Sequence, residues 1–212
     1  MKDTFIKLPK SKQQIIYKAA LKEFAEKGYY QANVADISKR AEISAGALYT
    51  YFENKEVLYL SLADYVIEQM VEKLYEKYTA VNESYFESLE KLLYGTVAFA
   101  KKHKDILAVY LELGCVYQNK FAKQLSDKVE SSAKVFHVEM IEKAKKNGEI
   151  NSSINSDIAA YIVDNNLTLL AYSVNSEYYN QRFNSYFATD KQEIGPEKKI
   201  SLIMELLRQY FN

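Results

Sequence analysis

The chain has 212 residues, 48% of them hydrophobic, with only six Gly and two Pro, so it can bury a sizeable core and is expected to be a folded, mostly helical protein. Its 28 basic and 28 acidic residues cancel, yet residues 1–60 carry 10 Lys and Arg against 7 Asp and Glu, which places any polyanionic partner at that end. A single Cys115 excludes an intramolecular disulfide, no run approaches the roughly 20 apolar residues of a membrane span, and without an arginine-rich or apolar leader the expected compartment is a reducing cytoplasm.

Residues 1–10 form a basic arm with Lys2, Lys7 and Lys10, interrupted by Pro9, and read as solvent-facing. Ser11 and Gln14 have the spacing of a capping box, which starts a helix there. Ile16, Ala19, Ala20 and Phe24 fall on one face of it, and Gly28 supplies the stop. Val34 to Ala41 and Ala45 to Tyr51 are each long enough for about two helical turns. Helices this short are unstable alone, so they must be held on the first helix, through Ile43 and Leu48 in particular. That is the design of a helix-turn-helix unit, which presents its last helix outward.

Ala45, Gly46 and Ala47 keep that last helix nearly bare after Ser44, while Tyr49, Thr50 and Tyr51 bring hydroxyls to its rim. Asn54 is a good N-cap for the next helix. Lys55, at its first position, joins a positive side chain to unpaired amides, a ready phosphate site. The pattern from Ile37 to Leu58, IS-x-x-A-x-IS-x-G-A-LY-x-YF-x-NKE-x-L, resembles the DNA-binding domain of the TetR family of bacterial transcriptional regulators. The resemblance covers residues 11–60 and implies DNA contacts at Asn33, Ser44, Ala45, Gly46, Ala47, Tyr49, Thr50, Tyr51 and Lys55. Two residues depart from the pattern: Glu42 stands in the turn where the family commonly has Gly, and Asn33 where it has a small hydroxyl residue. With no Arg, Lys, Asn or Gln between Ala45 and Tyr51, the strongest bidentate base contacts are unavailable. Readout should rest on Thr50, on methyl contacts of Ala45 or Ala47, and on DNA shape.

Residues 1–54 are expected to be the DNA-binding domain and residues 55–212 a helical effector-binding and dimerisation domain. A long helix from Asn54 to about Lys77 links them, with Leu58, Leu62, Val66 and Leu74 on one stripe. After a break at Thr79 to Ser84, helices are expected over Tyr85 to His103, Asp105 to Leu113, Asn119 to Lys146, Asp157 to Arg182 and Pro196 to Tyr210, with Asn184 to Gly195 as a loop. The fold class is all-α, about nine helices.

The body holds two His and one Cys, short of a usual metal set, and lacks a phosphate loop, a dinucleotide turn and a nucleophile elbow. Neither catalysis, a metal nor a cofactor is expected. Aromatic and polar residues threaded through apolar helices, among them Tyr94, Phe99, Tyr110, Cys115, Phe136, Met140, Asn165 and Tyr172, suit a pocket for a small amphipathic molecule. Ile158, Ile162, Leu169, Ile203, Leu206, Leu207 and Tyr210 give the last helices more apolar surface than a small body needs, which suits a self-complementary dimer interface. A ligand cavity and a dimer are also what the resemblance implies. The expected function is a homodimeric regulator, most often a repressor, released from a near-palindromic operator by a small hydrophobic or cationic effector. Two alternatives are a helical DNA-binding protein with a protein partner and no effector, and an enzyme using the helical body.

Overall fold

The computed structural model describes residues 1–75, 83–115, 122–188 and 193–212. All regular structure among them is helical: α1 (Asp3–Ile6), α2 (Lys10–Gln31), α3 (Val34–Arg40), α4 (Ala45–Tyr51), α5 (Lys55–Met70), continued by a π-helical turn (Val71–Tyr75), α6 (Tyr85–Lys102), α7 (Lys104–Cys115), α8 (Ala122–Lys146), α9 (Ser156–Asn175), α10 (Glu177–Phe187) and α11 (Pro196–Phe211). The residues expected to end the long helix, most of the break after it, the first turn expected at Asn119 and part of the Asn184 to Gly195 loop lie outside the described residues.

The chain divides into two compact units, residues 1–68 with 105–129, and residues 69–104 with 130–212. The first unit therefore extends beyond residue 54, taking in most of α5 and α7. Its core is built on α2, whose Ile16, Ala20, Leu21 and Phe24 are buried together with Ile37 of α3, Leu48 of α4 and Leu58, Tyr59 and Leu62 of α5. Phe24 meets Tyr59 edge-on at 4.9 Å and Tyr17 stacks on Tyr65 at 4.9 Å, geometries that add to area burial.

Two expectations at the N-terminus change. The arm is ordered: residues 3–6 form α1, and Phe5, 1% exposed, inserts between Tyr17 at 5.1 Å and Phe52 at 4.6 Å. The helix after it starts at Lys10 behind Pro9 with no side-chain cap, so Ser11 and Gln14 form no capping box there. Pro9 fixes its own φ, at −51°, and Gln13 instead donates to the carbonyls of Ile6 and Leu8. Gly28 does interrupt α2, at φ 68°, before one more turn is formed.

In the second unit α6 opens with a complete capping box between Ser84 and Glu87. The Glu87 carboxyl is held below the usual range by its hydrogen bonds to Ser84. Leu89, Leu92, Leu93 and Ala100 of α6 are buried with Val163, Leu167 and Leu170 of α9 and Ile200, Ile203, Leu207 and Phe211 of α11. Asn155 caps α9 by accepting from the Ile158 amide at 3.0 Å. The single helix expected over residues 157–182 breaks at Ser176, whose extended backbone separates α9 from α10.

Candidate nucleic-acid interface

The head is organised around a buried carboxylate. Glu23 of α2 is fully buried and accepts from the Asn33 amide at 3.2 Å, while Lys27 Nζ at 2.7 Å and Arg40 Nε at 3.3 Å supply positive charge. A carboxylate so placed would cost several kcal/mol if left unpaired; here it fixes α3 against α2. Lys27 also reaches Asp36 at 2.9 Å and Arg40 reaches Glu26 at 2.5 Å. The hydrogen bonds to Glu23 and then Asp36 raise the Lys27 pKa, and Lys27 in turn holds the Asp36 carboxyl low. Both cations are thus engaged within the head.

Between α3 and α4 the chain makes a Schellman turn. The Ile43 amide donates to the Ser38 carbonyl at 3.0 Å and the Glu42 amide to Lys39 at 3.2 Å, the paired bonds that close such a C-terminus. Glu42 occupies its left-handed position at φ 56°. Ser44 then caps α4, its Oγ accepting from the Ala47 amide at 3.1 Å. Leu48 and Phe52 point into the core, and Ser44, Ala45, Gly46, Tyr49 and Thr50 are exposed. A Cβ added to Gly46 would meet nothing nearer than Ser44 Oγ at 3.9 Å, so no contact among the described residues requires glycine there. Ala47 is half-buried, and Tyr51 is turned toward the edge of Phe5 at 6.0 Å. Tyr51 therefore packs, and Tyr49 with Thr50 make the exposed rim. Thr50 Oγ1 donates to the Ala47 carbonyl at 2.5 Å, keeping its lone pairs outward-facing as acceptors. Asn33 caps α3, its side-chain oxygen accepting from Ala35 at 2.9 Å.

The carbonyl end of α4 is closed by the arm. Lys2 Nζ donates to Tyr49 O at 2.9 Å, Thr4 Oγ1 to Thr50 O at 2.6 Å and the Lys2 amide to Tyr51 O at 2.9 Å. These bonds satisfy three of the acceptors that a helix end leaves without partners.

Lys55, expected at a phosphate, is engaged within the head. Its ammonium donates to the carbonyls of Tyr29 at 2.8 Å, Ala32 at 3.1 Å and Tyr30 at 3.3 Å and lies 4.7 Å from the Tyr29 ring centre. The charge neutralises the negative end of α2. Asn54 does cap α5, accepting from Val57 at 2.9 Å. On the other side of the same turn, Glu112 of α7 accepts from the Tyr29 amide at 2.7 Å. Burial, then the Glu112 charge, pushes the Tyr59 phenol upward. No motif marks Glu112. Its one sequence signal is Gly28, where a Cβ would stand 2.8 Å from the Glu112 carboxylate.

The residues expected to line an effector pocket are divided between the two units. Tyr94 is 47% exposed and faces solvent; Tyr110 and Cys115 belong to the first unit and the others to the second; the Cys115 side chain lies outside the described residues. Phe99 closes on His103 at 4.7 Å, Asn165 donates to the Tyr161 carbonyl at 2.7 Å, and Tyr172 tilts against Tyr179 at 5.1 Å. Phe136 and Met140 are half-buried on α8. Of the residues expected at a dimer interface, Ile203 and Leu207 are in the core of the second unit and Ile162 is half-buried, because α11 needs an apolar face to pack on α6. Ile158, Leu169, Leu206 and Tyr210 remain exposed, and Tyr161, 71% exposed, joins them.

Comparison with known proteins places this architecture. The family model of bacterial regulatory proteins of the tetR family matches residues 16–62. The helix-turn-helix transcriptional regulator YuxN of Bacillus subtilis is 31% identical over 135 residues, which are 62% of this chain and 45% of YuxN, so the chain spans less than half of that relative. Among solved structures, FadR of Bacillus subtilis in complex with stearoyl-CoA superposes with a TM-score of 0.71 at 22% identity, covering 92% of this chain and 96% of FadR. AibR in complex with isovaleryl coenzyme A and operator DNA superposes with a TM-score of 0.63 at 12% identity, covering 92% of this chain and 97% of AibR. The matched segment spans the second half of α2, the turn, the bare α4 and the start of α5, so residues 16–62 carry the helix-turn-helix of the tetR family of bacterial regulatory proteins.

Proposed function

We propose that the protein is a ligand-responsive repressor of the cytoplasm that acts as a homodimer on a near-palindromic operator. The observation that carries this reading is the exposed face of α4. It is nearly free of side-chain bulk at Ser44, Ala45 and Gly46, is rimmed by Tyr49 and Thr50, and is fixed at one end by the Schellman turn and at the other by α1. A helix so presented enters a major groove, with its N-terminal residues against base edges and half-sites about 34–36 Å apart, or multiples of that. Thr50 and the alanine methyls read the bases, Asn33 and Tyr49 approach the backbone, and DNA shape supplies the remaining discrimination.

The helical body admits an effector, as the acyl-CoA complexes of FadR and AibR support by likeness of fold. Its binding shifts α5, which the two units share, and the two reading helices no longer fit their grooves together. Coupling in such systems is about 1–3 kcal/mol. No catalytic role is assigned to the body. The test is fluorescence anisotropy with DNA from upstream of the protein's own gene across a salt series. Tight, salt-steep binding that Thr50→Ala redistributes among site variants is expected. Binding that is equally weak on all sequences would overturn the operator reading.

A further inference from the structure

The helix that faces outward does little to hold itself in place. With seven residues, α4 is far below the length at which a helix persists alone, and Leu48 is the one buried side chain within it. Its ends must therefore fix it. The Ser44 cap at the N-terminal end is local. At the C-terminal end the Leu48 carbonyl accepts from the Phe52 amide at 2.9 Å, and the next three carbonyls are reached from the start of the chain: Tyr49 O by Lys2 Nζ, Thr50 O by Thr4 Oγ1 and Tyr51 O by the Lys2 amide. All four carbonyls that a helix end leaves open are thus filled, three of them from 46 or more residues upstream. The anchor behind these bonds is Phe5, seated against Tyr17, Phe52 and Tyr51, with the Tyr17 hydroxyl donating to Met1 Sδ at 3.5 Å. The bond from Thr4 to the Thr50 carbonyl is exposed, so water replaces it when it is lost and its loss costs the fold little. What depends on it is the order of the last turn of α4, the turn that carries Tyr49 and Thr50.

We infer that Thr4 and Lys2 are positioning residues for base reading: by holding the carbonyls of Thr50, Tyr49 and Tyr51 they keep the Thr50 hydroxyl in register with its base pair, and they act on discrimination among sequences rather than on affinity for DNA in general. This rests on the reading of α4 as the DNA-reading helix with Thr50 at the bases, and extends it to residues behind the interface. Thr50 is tied twice, its Oγ1 donating to the Ala47 carbonyl at 2.5 Å and its own carbonyl accepting from Thr4 at 2.6 Å. The lone pairs left on Oγ1 point where the last turn points, and a frayed turn spreads them over many directions. A hydrogen bond to a base edge weakens steeply with misalignment, whereas attraction to phosphates is carried by charge and tolerates it. Loosening the arm weakens the first and spares the second. Thr4 is the sharper probe because it carries no charge. Lys2 holds Tyr49 O through its ammonium and Tyr51 O through its amide, and substitution removes only the first.

The probe is a pool of DNA duplexes with a randomised central segment, bound by the full-length protein in competition with poly(dI-dC) and sequenced after selection. Thr50→Ala defines the base pairs that Thr50 reads. Thr4→Val, which keeps the side-chain shape and removes the hydroxyl, should relax preference at those same base pairs about threefold or more, with the salt slope unchanged. Thr4→Ser, which restores the donor, should keep the parental profile, and Lys2→Met should act at the same positions as Thr4→Val. Combining Thr4→Val with Thr50→Ala should relax the profile no further than Thr50→Ala alone, because both act through one hydroxyl. Circular dichroism melting of each variant identifies a merely structural role, which would lower the melting temperature and weaken binding to every sequence by the same factor. That outcome overturns the inference, as does a parental profile for both Thr4→Val and Lys2→Met. A profile shifted by Thr50→Ala but not by either arm variant removes only this inference. A profile that Thr50→Ala leaves unaltered removes the assignment of base reading to Thr50 and this inference with it, and a parent protein that selects no sequence removes the regulator itself.

Discussion

Glu42 sits at φ 56° in the turn that aims the reading helix. A side chain with a Cβ pays about 1 kcal/mol or more in that conformation compared with glycine. Its own side chain is exposed and offers no compensating contact among the described residues. Glu42→Gly should therefore raise the stability of the protein by about 1 kcal/mol, read as a higher denaturant midpoint at unchanged slope. A midpoint that does not move would mean the turn gains as much from Glu42 as it loses. The neighbouring Gly28 is the opposite case, because it also takes positive φ, at 68°, but there a Cβ would collide with the Glu112 carboxylate. One left-handed position is thus open to improvement and the other is closed by its surroundings.

At the scale of elements, the last turn of α2 is gripped twice, through its carbonyls by Lys55 and through the Tyr29 amide by Glu112. Lys55→Ala should lower thermal stability by about 1–2 kcal/mol, since three carbonyls lose a charged donor. The slope of log affinity for operator against log salt should stay the same. A slope shallower by about one would show instead that the ammonium neutralises a phosphate. Helix-turn-helix elements were legible in the sequence because their signals are local: Ser44 as a cap, Glu42 and Ile43 as a turn, and Leu48 with Phe52 as the buried side of a short helix. The partners of Lys55 and of Glu112 lie 23 or more residues away, and no periodicity reports such pairings. For the same reason α1 escaped notice, since four residues give no period and its stability comes from Phe5 docking on Tyr17 and Phe52. A lone histidine carries no pattern, so nothing in the sequence marks His137 as a buried group, yet it is 2% exposed.

For the molecule as a whole, the exposed apolar residues Ile158, Tyr161 and Leu169 of α9 and Leu206 and Tyr210 of α11 are the surface on which the proposed dimer would form its seam. Leu206→Glu should halve the mass seen by light scattering and weaken operator binding sharply, with helicity retained. Ile203→Ala, three residues earlier but in the core, should instead lower the melting temperature with the mass unchanged. Equal effects of the two on mass would place the seam elsewhere. The bonds from residues 2–4 to the carbonyls of α4 also bear on how this protein should be handled. Anything fused ahead of Met1 emerges beside the C-terminal end of α4, next to Lys2 and Thr4, and in the proposed operator complex would stand near the groove wall. Affinity tags belong at the other terminus, and operator affinities measured with a leader still attached report on the leader as well as on the regulator.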